Sequence, residues 1–94
     1  MPVLVDLEDL RKALSEEPDR LAEELLPEGS FVRHKYEQGI AYVNRPHAPE
    51  DADPGELETW GLTAEQWSQQ MEVALHALKH DLKLDVIQEG MGRV

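Results

Sequence analysis

The stretch Thr63–Gln88 limits the possible folds of this chain more than any other, because it is the longest segment with an unbroken helical period. Thr63 followed by Gln66 has the pattern of a capping box, and Leu62 before it and Trp67 after it have the spacing of a hydrophobic staple. Gly90 and Gly92 are stop signals at the far end. At ~1.5 Å per residue such a helix is roughly 39 Å long, whereas a domain of this size is about 30 Å across. The predicted helix therefore crosses the whole domain.

Its faces carry the functional expectation. Trp67, Met71, Ala74, Leu75, Leu78 and Leu82 form one apolar stripe. Val73, Ala77, Leu84 and Ile87 form a second, with Glu72, Lys79 and Lys83 on one polar seam and Gln70 and Asp81 on the other. Two apolar faces need two covers. The first is expected to bury the core. The second, with His80 at its border, is expected to be an interface comprising Val73, Ala77, His80, Leu84 and Ile87, which docks a protein partner or a second copy of the chain.

Ninety-four residues support one domain with a thin core. The absence of cysteine removes disulfides, thiolate metal sites and cysteine nucleophiles. The N-terminal Met1–Val5 run meets Asp6 too soon for a signal peptide, and no apolar run approaches a membrane span, so a cytoplasmic, non-membrane protein is expected. Twenty acids against nine bases give a net charge of −11, which disfavours direct binding to nucleic acid.

The remaining segments predict an α+β fold. Asp6 is an N-cap for a helix bearing Leu7, Leu10 and Leu14 on one face; Pro18 ends it and starts a second short helix to Leu26. Thus 1–29 is read as a helical part. Phe31, Val32, Tyr36, Ile40, Tyr42 and Val43 have strand preference and flank Glu37-Gln38-Gly39, so 30–44 is predicted as an antiparallel β-hairpin, with 3–5 as a third short strand. Residues 45–62 form an acidic, Pro-containing loop, with a helical turn at Pro54–Thr59 as an option; 63–89 is the long helix and 90–94 a tail.

Few residues suggest chemistry. His76 and His80 stand i, i+4 with Glu72 one turn earlier, the spacing of a three-ligand metal site, but Ala77 occupies the position where a zinc-protease helix carries glutamate. Asp51–Glu56 superficially resembles a calcium loop whose register fails, since Gly55 stands fifth and Leu62 twelfth. Arg33-His34-Lys35 is the one basic cluster, and the three serines lack a nucleophile setting. No catalytic residue and no cofactor are assigned. The expected function is that of a small acidic, non-catalytic interaction module. A decoy of a nucleic-acid-binding protein that presents Glu50, Asp51, Asp53, Glu56 and Glu58 is the alternative, and metal binding through His76 and His80 the third.

Overall fold

The structure, a computed structural model, describes residues 3–39 and 48–82. Among them are four α-helices, α1 (Leu7–Glu16), α2 (Phe31–Glu37), α3 (Pro54–Trp60) and α4 (Ala64–Leu82), and two 3-10 turns, Ala22–Leu25 and Pro49–Asp51. The described residues contain no strand, so the predicted α+β class is replaced by an all-helical one.

α4 is the central element. The Thr63 hydroxyl accepts the Gln66 N–H at 3.1 Å and the Gln66 carboxamide accepts the Thr63 N–H at 3.0 Å, closing the box predicted from sequence. Leu62 and Trp67 are both buried in the main core. Over its 19 described residues α4 runs about 28 Å. α1, α2 and both 3-10 turns pack on it. Being surrounded explains the burial pattern: Trp67, Met71, Ala74 and Leu78 are buried on the first stripe, and Val73 and Ala77 on the second, at 1% and 0% exposure.

α1 begins where its cap dictates, with the Asp6 carboxylate accepting from Glu8 N–H and Asp9 N–H at 2.8 and 3.2 Å. Leu10 and Leu14 face the core. Helix stops before Pro18, but the second piece is only the 3-10 turn Ala22–Leu25, not a helix from Pro18.

The hairpin expected over 30–44 is overturned at 30–39; residues 40–47 lie outside the described set. Ser30 caps α2 by accepting the Arg33 N–H, and Phe31, Val32, Lys35 and Tyr36 follow i, i+1, i+4, i+5, one face of a helix. That face lies against α4 and the core. The aromatic and β-branched residues there satisfy a helix packed on a helix as well as a strand, because strand preference measures a half-buried surface rather than the backbone itself.

Residues 3–5 are likewise no strand. The Gln70 carboxamide imitates one: its oxygen accepts the Val5 N–H at 2.8 Å and its nitrogen donates to the Val5 carbonyl at 3.0 Å. One buried side chain thereby satisfies both backbone groups of an extended residue. The stretch read as an acidic loop, 45–62, is structured over 48–61 by the second 3-10 turn and by α3. Asp53 caps α3 through the Gly55 N–H. Gly61 ends it at φ 67, the left-handed conformation that glycine adopts without Cβ strain, and the Gly61 and Leu62 N–H groups both donate to the Leu57 carbonyl.

Candidate functional site

The polar groups that the fold turns inward are bonded to other parts of the same chain. Asp81, expected on a wet seam, is half-buried. One of its oxygens accepts the Ala22 N–H at 2.6 Å; the other accepts the Glu23 N–H at 3.0 Å and the Tyr36 hydroxyl at 2.9 Å. A single carboxylate thus caps the first 3-10 turn and ties it, with α2, to the end of α4. Burial and the neighbouring Asp81 carboxylate push the Tyr36 phenol well above its ordinary range, because a phenolate there would lose hydration and face a like charge.

That shift has a sign. The folded chain holds the Tyr36 proton more tightly than the unfolded chain does, so its contribution is complete below the unfolded phenol value of about 10 and declines as pH rises past it. Wild-type stability is expected to fall more steeply above pH ~10 than that of Tyr36→Phe. Urea melts of both proteins across that range check this, and parallel slopes would contradict it.

A second network joins α2, α3 and α4. Lys35 is 8% exposed, makes an ion pair with Glu56, and stands 5.5 Å from the centroid of the Phe31 ring. The other Glu56 oxygen accepts the Trp67 indole N–H at 3.2 Å. Arg33 donates to the Glu23 and Leu26 carbonyls and pairs with the Glu23 and Glu37 carboxylates, fastening the first 3-10 turn to α2. The basic cluster of Arg33-His34-Lys35 is therefore structural at both cations, while the His34 ring stacks at a tilt on Trp60, centroids 5.4 Å apart.

The predicted interface residues divide. Val73 and Ala77 are enclosed by their own chain. His80 is half-buried, its Nε2 3.1 Å from the Arg20 carbonyl, which fixes Nε2 as the protonated, donating nitrogen. Leu84 and Ile87 lie outside the described residues. Glu72, His76 and His80 form no metal-holding group among the described residues. In the acidic patch, Glu56 is spent on Lys35 and Trp67, Asp51 accepts the Ala48 N–H, Asp53 caps α3, and Glu50 and Glu58 are exposed.

Sequence reasoning missed Gln70, Asp81 and Tyr36. The signal was available: Gln70 and Asp81 continue the row 70, 74, 77, 81, at i, i+4, i+7, i+11 through the buried alanines. Polar residues on an apolar row are inward residues with bonded partners.

One open cleft of about 410 Å³ lies between the start of α2 and the end of α3, lined by Val3, Gly29, Ser30, Phe31 and Glu58 to Gly61. Trp60 stands at its wall, half-buried, with Phe31 edge-on to its ring at 5.7 Å. A second groove, about 350 Å³, runs between α1 and α4 past Asp6, Leu7, Gln69 and Glu72. No helix among the described residues is long and apolar enough to cross a membrane. The chain matches no protein-family model, and no curated protein or solved structure is significantly similar to it.

Proposed function

We propose that this chain is a non-catalytic protein-interaction module whose binding surface is its acidic exterior and whose partner presents a complementary basic protein surface. The observation that carries this reading is the excess of exposed acid over exposed base. Arg33 and Lys35 are turned inward into ion pairs with glutamates of the same chain, whereas Arg11, Lys12 and Arg20 stand exposed, Arg11 and Arg20 beside Glu8 and Glu17. Acids greatly outnumber bases, and Asp9, Glu16, Asp19, Glu28, Glu50, Glu58 and Glu65 stand exposed. The inward polar groups build the scaffold; the outward ones set the field around it.

Burial of Val73 and Ala77 moves the expected partner surface away from the middle of α4. It also weakens the case for a homodimer, since a two-fold contact sets like surfaces against each other and each copy carries −11. The decoy reading is the special case in which the partner's basic surface otherwise takes phosphates, and competition by duplex DNA separates the two.

The test is a titration of the purified protein with a lysine- and arginine-rich peptide and with an acidic peptide of equal length. Saturable binding of the basic peptide alone, weakening steeply between about 0.05 and about 0.5 M salt, is expected. No binding of the basic peptide at the lower salt would overturn the proposal.

A further inference from the structure

We infer that the cleft between α2 and α3 is the specificity pocket of this acidic surface and takes an arginine side chain from the partner. The inference rests on the preceding reading and adds a place and a residue type to it.

Three features of the cleft converge on a guanidinium. The first is charge: Glu58 is exposed on the cleft's own wall, in a chain whose net charge is −11. The second is the end of α3. Because the Gly61 and Leu62 N–H groups both go to the Leu57 carbonyl, neither reaches the carbonyls of Glu58, Thr59 and Trp60. Those three residues line the cleft at the negative end of a helix, where carbonyl oxygens seek donors. The third is apolar surface of the right kind. Trp60, with His34 tilted on its ring, supplies an aromatic wall, and Val3, 52% exposed, adds surface that would cover the methylene stem.

A guanidinium fits this set better than an ammonium. Its fixed fork of five N–H donors can serve a carboxylate and a carbonyl together. An ammonium offers a compact charge and keeps its water more strongly. The cleft has room: about 410 Å³ is within the range of pockets that hold small groups.

The experiment maps binding residue by residue on the full chain by NMR, using an arginine tetrapeptide, its lysine counterpart, and a citrulline tetrapeptide that keeps the shape and lacks the charge. The arginine peptide is expected to shift the Trp60 indole N–H and the Glu58 and Gly61 amides with one saturation curve. The lysine peptide should bind more weakly there, and citrulline should produce no shift. Glu58→Gln, an exposed change that leaves the core untouched, is expected to weaken the arginine peptide roughly three- to fivefold, the size of a solvent-exposed ion pair. Glu16→Gln, on α1 and away from the cleft lining, should change it less than about twofold. If the peptide binds but Glu58→Gln and Glu16→Gln act alike, or if the shifts avoid Trp60, the pocket is refuted while the acidic surface stands. If no cationic peptide binds, both fall.

Discussion

Val73→Asp is expected to unfold the chain instead of releasing a soluble monomer. Val73 is 1% exposed and packs in the same core as Trp67, Met71 and Ala77. A carboxylate there has no described donor to meet it, and stripping it of water costs several kcal/mol even after it takes up a proton. A domain of this size holds roughly 5–10 kcal/mol in total. Loss of the cooperative thermal transition by circular dichroism is the predicted readout. A folded monomeric variant with a near-native melt would mean that the second stripe of α4 faces outward, as its sequence period suggested.

Asp81→Ala has the next largest expected effect, about 3 kcal/mol. It leaves three donors without their acceptor at once: the Ala22 and Glu23 N–H groups and the Tyr36 hydroxyl. Ala22 is fully buried, so water cannot simply replace the carboxylate at its N–H. A midpoint drop on the order of 15 °C follows for a chain of about 100 residues. Asp81→Asn keeps one acceptor oxygen and turns an NH2 toward a donor, so it should lose about half as much. Differential scanning calorimetry of the three proteins checks the order. Equal melting of wild type and Asp81→Ala would show that the first 3-10 turn is held by its apolar contacts alone.

How much of this was legible depended on how far apart the interacting residues are in sequence. The α4 cap is written in four neighbouring residues, Thr63 to Gln66, and the Asp6 cap of α1 in another four, so both were readable. Ser30 is an equally local cap, but Phe31, Val32 and Tyr36 favour a strand by residue type, and only their spacing marks the buried face of α2. That Gln70 and Asp81 turn inward is written in the row 70, 74, 77, 81, but what they bind is not. Their partners lie 65 and 59 residues away, at Val5 and Ala22, and no local window contains both ends. The acidic patch was legible as composition only: that Glu56 turns inward to Lys35 and Trp67 while Glu58 stays exposed follows from how α3 is rotated against α2 and α4. Two apolar stripes on one helix state that both must be covered, and do not state by what. Here α1, α2 and the 3-10 turns pack on α4, and Val73 and Ala77, the described part of the second stripe, are buried along with Trp67, Met71, Ala74 and Leu78 of the first.

The most direct test of that claim is amide hydrogen exchange along α4 at two protein concentrations about a hundredfold apart. A helix enclosed by its own chain gives slow exchange from Trp67 to Leu78 at rates that do not depend on concentration. Protection of Val73 and Ala77 that appears only at the higher concentration would contradict it, and would return the second stripe of α4 to the role of an interface between molecules.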